Sequence, residues 1–383
     1  MQKIFYENTE CVHFEAIVED CHEINGSYLV VLNRTAFFPE EGGQLADTGT
    51  LNNLPVKDVT IQDDIIFHHM DTPFEIGSSV VGCVNWERRF DFMQQHSGEH
   101  IVSGLLHKHY RFNNVGFHLG LSEVTMDFDG IIDMEALRRI EAEANEIVWK
   151  NLPVFTGFPD RNTLLSLEYR SKIEINGSIR IVEIPGVDIC ACCAPHVKNT
   201  GEIGLIKITN VQSHRGGVRI NILCGKRALN DYTNKQDSVN TLSALLSAKP
   251  NLVVSSVNKL LEDGLKQKET LNQLANQLLQ MQVVSLPKPE VCPSPILFVE
   301  LSNPIAIRNT VNTLTEKYSG YCGIFNGNDE TGYSFIIGSS SLDCRNLAQT
   351  LREKFGAKGG GTTPMIQGNI HASKDELMYF FET

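Results

Sequence analysis

The first 85 positions of the chain alternate short apolar runs with polar residues, which is typical of β-strands. The β-rich runs 13–18 and 28–32 are separated by Asn25-Gly26, a dipeptide that favours a tight hairpin turn. Alternation of apolar and polar side chains resumes at about 56–67. This pattern predicts a small twisted sheet or a β-barrel-like domain.

Helical spacing of apolar residues begins after position 88. Apolar side chains recur three or four positions apart over 89–110, which predicts a helix. A second helix is predicted over 133–150, capped by Asp133 and ended before Pro153. Strand-like runs lie at 115–130, 179–184 and 203–211. We therefore expect an α+β domain here.

The remainder of the chain is predicted to be helical and then α/β. Residues 227–284 have helical character, with a break at Lys249-Pro250 and a short coiled-coil-like seam at positions 271, 274, 278 and 281. A glycine-bearing loop, 359–361, follows predicted strands and helices from about 291 onward. The expected fold is α+β with four parts: an N-terminal β-barrel-like domain (1–88), an α+β domain (89–226), a helical linker (227–288) and a C-terminal α/β domain (289–383).

Composition narrows the class of protein. The chain has 383 residues, of which 42% are hydrophobic and 21% charged, as in globular proteins of several domains. No apolar run approaches the ~20 residues of a membrane span, and the N-terminus does not resemble a signal peptide, so a cytoplasmic protein is expected. The net charge of −13 argues against non-specific coating of nucleic acid, yet it allows a local basic surface that grips one RNA.

Two short motifs carry candidate metal chemistry. His96 and His100 stand four positions apart on the predicted helix, so both imidazoles lie on one face, one turn apart. Cys192 and His196 repeat this spacing in a later loop. Imidazole and thiolate together suit zinc, and three or four such ligands make a tetrahedral site. Clustered cysteine and histidine in an intracellular chain more often bind metal than form disulfides.

Alternatives to this site remain open at the level of sequence. The string from His96 to His100, with Glu99, also matches the H-x-x-E-H motif of inverted zinc peptidases, in which the glutamate is a general base. Those enzymes take a further carboxylate ligand, whereas here a C-x-x-x-H pair completes the set. Glu99 could instead support a ligand or be a solvated helix acid. Four protein ligands would indicate a structural zinc, and three with a water would indicate a catalytic one.

Two glycine-bearing strings are further candidates. Gly42-Gly43-Gln44 is either an ordinary turn or a place where backbone approaches a ligand closely, with an amide that can donate and accept. The second string, which starts at Lys358, is either a flexible loop or a backbone nest for RNA phosphates. The residues that would contact RNA there are Lys358, Gly359, Gly360, Gly361, Gln367 and Gly368.

In this order, the motifs resemble the editing half of alanyl-tRNA synthetase and its free-standing relatives, the long-form AlaX trans-editing proteins. The matching stretches are 37–49, 95–100, 192–204 and 359–368, and they span nearly the whole chain. The synthetase form of the third stretch has Gly-Gly-Thr where this chain has Cys193-Ala194-Pro195, a variant similar to the AlaX side of the family. Thr362-Thr363 also depart from the usual residues of the last stretch.

The resemblance implies a zinc-dependent aminoacyl-tRNA deacylase that does not charge tRNA. Its substrate would be tRNA(Ala) mischarged with serine, and also with glycine. The zinc ligands would be His96, His100, Cys192 and His196. Gln44 would bind the substrate or orient water, and Thr35 would sense the serine hydroxyl, although plain strand packing explains Thr35 equally well. The C-terminal domain would contact tRNA and can mediate a homodimer; a tRNA-binding module with a structural zinc is the alternative.

Overall fold

A computed structural model describes residues 1–24, 26–171, 178–301 and 303–382. The chain divides into two units, Met1–Ser238 and Val239–Thr383. Within the described ranges, no helix is both long and apolar enough to cross a membrane. The fold is mixed α+β, as the sequence predicts, and the four-part layout stays a prediction.

The N-terminal part of the first unit is a nearly closed, barrel-like sheet. Its elements and their neighbours are β1 (Gln2–Lys3), α1 (Ile4–Glu7), β2 (His13–Ile24), β3 (Ser27–Leu32), β4 (Arg34–Thr35), β5 (Gly49–Leu51), β6 (Leu54–Val56), β7 (Asp58–Gln62), β8 (Ile65–Met70) and β9 (Ser79–Val84). Seven strands pair in the order β6-β5-β9-β2-β3-β8-β7. Strands β2 and β3 form the expected hairpin, with Ile24 opposite Ser27; Asn25 lies outside the described residues.

The rest of the first unit packs two long helices against antiparallel strands. The elements are α2 (Trp86–Tyr110), β10 (Asn114–Leu119), β11 (Val124–Phe128), α3 (Met134–Lys150), β12 (Phe155–Gly157), α4 (Arg161–Ser166), β13 (Ile181–Ile184), β14 (Asp188–Ala191), β15 (Ile206–His214) and β16 (Gly217–Cys224). Helix α2 is capped by the Asn85 side chain and α3 by Asp133, as predicted for the latter. The apolar faces of both helices share one core with the β10-β11-β16-β15 sheet.

Helix α5 (Gly225–Leu245) begins in the first unit and ends in the second. The later elements are α6 (Val253–Val284), β17 (Ile296–Val299), α7 (Pro304–Lys317), β18 (Cys322–Asn328), β19 (Gly332–Gly338), α8 (Cys344–Phe355), β20 (Lys358–Thr362), β21 (Met365–Ile370) and α9 (Lys374–Glu382). The predicted break at Lys249-Pro250 is confirmed, because a short 3₁₀ turn there separates the helices. Five strands pair in the order β17-β18-β19-β21-β20.

The glycine string near the C-terminus is not a loop, so that expectation was wrong. Lys358–Thr362 is an edge strand that pairs antiparallel with β21, placing Gly359 opposite Gly368. A Cβ on Gly359 would lie 2.3 Å from the Gln367 carbonyl oxygen, and one on Gly361 would lie 2.2 Å from that of Met365. The glycines therefore permit a close approach of two strands.

Candidate metal centre

Four side chains converge in a buried pocket of the first unit. His96 and His100 project from α2 with ring centroids 5.6 Å apart, and the loop after β14 brings Cys192 and His196 to them. Cys192 Sγ lies 3.5 Å from His96 Nε2 and 3.4 Å from His196 Nε2. One potential ligand atom from each of the four lies within 4.8 Å of the others. The sequence-predicted set is thus brought together.

Each histidine is held by a partner on its outward nitrogen. His96 Nδ1 donates to Gln44 Oε1 at 2.9 Å, and His100 Nδ1 donates to Asp188 Oδ2 at 2.8 Å. His196 Nδ1 lies 3.0 Å from Ser97 Oγ. Because an amide oxygen and a carboxylate accept the Nδ1 hydrogen, the Nε2 lone pairs of His96 and His100 are left for a ligand.

The chemistry of these donors fits a zinc ion. His100 Nε2 is buried and has no hydrogen-bond partner among the described residues. Buried polar atoms are rarely left in this state, and a metal would satisfy it. One thiolate with three imidazoles is a borderline-soft set that suits zinc, and all four residues can ligate it at once.

The electrostatics of the pocket favour a cation. Burial opposes ionisation of Cys192, but its interactions with the surrounding imidazoles of His96, His196 and His100 outweigh burial and hold the pKa of the thiol well below its ordinary value. Burial also disfavours charge on His100, yet its hydrogen bond to Asp188 and the nearby negative charges of Glu99 and Cys192 raise its pKa to about 9. Burial lowers the pKa of His196 to about 3.

Arg180 fixes the loop that carries Cys192. Its guanidinium donates to the carbonyl oxygens of Cys192 at 3.0 Å and Ala194 at 2.8 Å, and its own carbonyl accepts from the Cys192 amide. It also lies over the Tyr6 ring, 5.1 Å from the centroid. Ala194 is fully buried in the core of the barrel-like sheet. The thiol and the His196 imidazole therefore sit on a well-anchored turn.

A tight turn brings Gln44 to the pocket. The amides and carbonyls of Glu41 and Gln44 pair across Gly42-Gly43, both of which have positive φ. A Cβ on Gly43 would lie 2.6 Å from the Phe117 carbonyl oxygen. Gln44 is fully buried; its Oε1 accepts from His96, while its Nε2 has no hydrogen-bond partner among the described residues. The two glycines thus allow the turn to approach the neighbouring backbone closely, and the Gln44 Nε2–H remains as a hydrogen-bond donor beside the cluster.

The other predicted site residues are not members of the cluster. Thr35 is fully buried, 2.8 Å from His68 Nε2, and its hydroxyl accepts from the Phe37 amide. His68 Nδ1 donates to the Val30 carbonyl, so Thr35 donates to Nε2. The six candidate RNA contacts are in the second unit, on β20 and β21, where Gln367 Oε1 accepts from Arg308.

Sequence reasoning missed three residues that support the cluster. These are Ser97, Arg170 and Asp188, of which Arg170 donates to both oxygens of Asp188 at 2.7 and 2.8 Å. Burial raises the pKa of Asp188, but the bonds from His100 and Arg170 outweigh it and keep that pKa below the ordinary value. One signal was present in the sequence, because alternation along a strand places 188 and 190 on one side, directly before the loop that carries Cys192.

A cavity of about 520 Å³ adjoins the Arg170–Asp188 pair. Its described lining includes Lys108 and Arg111, from the end of α2, and Asn114, but none of the four cluster residues. Lys108 and Arg111 are exposed, whereas the charge of Arg170 is balanced by Asp188. The cavity therefore offers two exposed cationic groups beside Asp188, together with the exposed carboxylate of Glu168.

Parts of the chain match two known families. Residues 179–221, which include Cys192 and His196, match the family described as threonyl and alanyl tRNA synthetase second additional domain. Residues 3–88 match the family of class II (A) tRNA synthetases.

Several curated relatives match nearly the whole chain. The alanine–tRNA ligase of Methanopyrus kandleri is 30% identical over 95% of this chain and 42% of the ligase. That of Methanococcus maripaludis is 28% identical over 98% of this chain and 42% of the ligase. The alanyl-tRNA editing protein AlaX-L of Pyrococcus horikoshii is 28% identical, over 98% of this chain and 96% of AlaX-L. The chain spans about two fifths of these ligases and nearly all of AlaX-L. These matches show that the chain is related to the alanyl-tRNA synthetases and to AlaX-L.

Proposed function

We propose that this protein is a trans-editing hydrolase that cleaves the ester of mischarged tRNA(Ala), with Ser-tRNA(Ala) as main substrate and Gly-tRNA(Ala) as a second. The observation that carries the proposal is the convergence of His96, His100, Cys192 and His196 beside the unpaired amide of Gln44. The similarity to AlaX-L, an alanyl-tRNA editing protein, supports it, because the match extends over both proteins almost end to end.

The four cluster residues would hold zinc. The ion, when bound, supplies a Lewis acid that polarises an ester carbonyl or lowers the pKa of a water. Gln44 then has two tasks. Its Oε1 orients His96, and its buried Nε2–H donates to a substrate oxygen, where a fixed donor in a dry pocket stabilises developing charge.

Serine would be selected over alanine by a pocket whose polar groups hydrogen-bond the serine hydroxyl. When the substrate carries the methyl group of alanine, those polar groups are left without a hydrogen-bond partner. Sites of this kind discriminate by ~10⁴ or more. Thr35 is the proposed sensor of the serine hydroxyl. Since its hydrogen goes to His68 and one lone pair takes the Phe37 amide, contact with serine would use the remaining lone pair.

Two regions of the protein would bind the tRNA. Lys108 and Arg111 at the cavity beside Asp188 would pair with phosphates near the acceptor end. In the second unit, the glycine-rich edge strand β20 would bring backbone amides and Lys358 close to the RNA backbone, along with Gly359, Gly360, Gly361, Gln367 and Gly368.

The deciding experiment is deacylation of Ser-, Gly- and Ala-tRNA(Ala) by zinc-loaded protein. We expect loss of serine, slower loss of glycine and sparing of alanine. The His96→Ala, His100→Ala double variant should be inactive. The matched control replaces His109, which lies on the same helix outside both the cluster and the cavity lining, and should retain activity. Stable Ser-tRNA(Ala) in the presence of metal-loaded protein would overturn the proposal.

One observation favours a second candidate, a tRNA-binding protein with a structural zinc. Four protein side chains complete the cluster, as in structural sites, which keep no open position. Turnover separates the two functions, since a binding protein protects Ser-tRNA(Ala) and an editor destroys it. The peptidase alternative is weaker, because Cys192 and His196 complete the cluster where that class takes a carboxylate, and Glu99 Oε1 instead accepts from Ser103 and Asn114.

A further inference from the structure

The three histidines of the cluster have chemically different outer partners. His96 is held by an amide oxygen and His196 lies against a hydroxyl, whereas His100 is held by the carboxylate of Asp188. A carboxylate that accepts the Nδ1 hydrogen fixes the ring and makes Nε2 a stronger donor to a metal. Among the three, His100 therefore has the partner best suited to strengthen a metal bond.

Asp188 is itself fixed from the opposite side. Arg170 donates to both of its oxygens in a two-point contact, and both side chains are largely buried, 13% exposed for Arg170 and 2% for Asp188. The Arg170 backbone pairs with β14 on both sides, through the Ile189 carbonyl and the Ala191 amide. Neither group can shift without disturbing this strand.

We infer that Asp188 and Arg170 are positioning residues for the metal centre, with Arg170 holding Asp188 and Asp188 holding the His100 ring so that Nε2 faces Cys192. The inference rests on the proposed function for its metal. Among the groups that contact the metal ligands without binding the metal themselves, this pair then contributes most to metal affinity. Both residues also line the neighbouring cavity, so the centre extends to the wall of that cavity.

The test measures zinc affinity by competition with a chromogenic chelator, and the visible spectrum of the cobalt(II)-substituted protein. For Asp188→Asn we expect zinc binding to weaken about 10- to 100-fold, with a shifted cobalt spectrum. Arg170→Gln should weaken binding less, and Arg170→Lys should recover part of that loss. The matched control is Arg227→Gln, because Arg227 is 12% exposed and binds Asp91 through two nitrogens, yet contacts no cluster residue. Its affinity and spectrum should be unchanged.

Folded Asp188→Asn protein with wild-type zinc affinity and spectrum would overturn the inference. If that variant does not fold, Arg170→Gln and Arg170→Lys decide it by the same measurements. Zinc binding without deacylation by the wild-type protein would overturn the proposed function and leave the inference standing on its own affinities. A wild-type protein that binds no zinc would overturn both.

Discussion

At the scale of single residues, Cys192 and Cys193 are adjacent thiols in opposite environments. Interactions with the surrounding histidines outweigh burial and lower the pKa of Cys192. Burial, the Cys192 charge and Glu41 raise that of Cys193, whose sulfur faces Gly42 instead of the cluster. Thiolates are the metal-binding form, so only the first of the two is prepared to bind a metal.

We predict that Cys192→Ser loses zinc and Cys193→Ser keeps it. Loss of a direct ligand should lower zinc affinity by more than the roughly 10- to 100-fold typical of losing an outer partner. The measurement is the zinc content of dialysed protein, followed by chelator competition. The prediction fails if Cys192→Ser protein retains wild-type affinity, or if both variants lose the metal equally.

The Gln44→Ala variant distinguishes two roles of Gln44, orientation of the substrate and support of the metal ligand His96. Removal of its free donor should lower kcat for Ser-tRNA(Ala) by about 10²- to 10³-fold, as for other fixed donors to developing charge. Assays at saturating zinc compensate for the lost contact with His96. The control is Glu40→Gln in the same turn, where the side chain is exposed. Unchanged kcat for Gln44→Ala would assign Gln44 a structural role.

The sequence supplied the four cluster residues because two matching i, i+4 pairs form a pattern of their own. It did not supply Arg170 or Ser97, whose roles depend on pairings between segments far apart in the chain. Arg170 approaches Asp188 only because its backbone lies along β14. Residues that support a site through such contacts form no pattern of short spacings in the sequence, whereas two ligands on one helix face do.

At the scale of elements, helix α2 owes its position to its glycines. Gly98 looks like a weak point in a helix, yet its missing Cβ makes room for Cys224 Sγ, which would lie 2.3 Å away. At Gly104 a Cβ would lie 2.6 Å from the Val187 carbonyl oxygen and 2.8 Å from Asp188 Cβ. The second glycine thus sets the distance between the histidine helix and the strand that holds Asp188.

We expect Gly104→Ala to lower the free energy of unfolding of the first unit by about 1–3 kcal/mol, because backbone has to shift. Urea unfolding followed by tryptophan fluorescence measures this unit alone, since both tryptophans, Trp86 and Trp149, belong to it. Gly264→Ala in α6 is the control: its Cβ meets nothing within 4 Å, and it should leave the fluorescence transition unmoved. If the urea unfolding transition of Gly104→Ala is unchanged, β14 moves to accommodate the added methyl group without loss of stability, and the prediction is wrong.

The end of α2 gives a second test at this scale. Charge reversal by Lys108→Glu with Arg111→Glu should raise KM for Ser-tRNA(Ala) about tenfold or more, with zinc content unchanged, because contacts to charged groups are lost. Arg138→Glu with Lys226→Glu changes the net charge equally, away from the cavity lining. Equal effects of the two pairs would indicate a general charge effect instead of a local phosphate site.

Helices with caps were predicted well and the glycine hairpin was not. Asp133 marks the start of α3 within the local sequence, and its side chain makes the expected bond to the Ala136 amide. The strand β20 has no such signal, because three successive glycines have low intrinsic preference for strands. What makes it a strand is the close pairing with β21, which only glycine tolerates.

At the scale of the whole molecule, α6 carries an apolar row that is exposed among the described residues. Leu271, Leu274 and Leu278 are each more than half exposed, at 66%, 51% and 63%, and they continue to Met281 with heptad-like spacing. Such a row on a helix favours association with a second helix. The homodimer through the C-terminal region, which the family resemblance implies, stays a prediction, and this row on α6 is where we propose an additional contact.

We predict that the protein sediments as a dimer at micromolar concentration, and that Leu274→Glu with Leu278→Glu converts it to a monomer. Analytical ultracentrifugation measures the mass directly. Ile305→Glu is the control, since that side chain is exposed but lies on α7, outside the row. A wild-type monomer, or a dimer that survives the double substitution, would contradict the prediction.

The candidate centre also ties together distant parts of the chain. Its donors come from α2 and from a turn roughly ninety positions later, so a bound ion closes the intervening segment into a loop. Such a cross-link removes chain entropy from the open state and makes local opening of this segment rarer. Starved of zinc, the protein would expose the same segment to proteases more often. The supply of metal would then set the lifetime of the molecule as well as its chemistry.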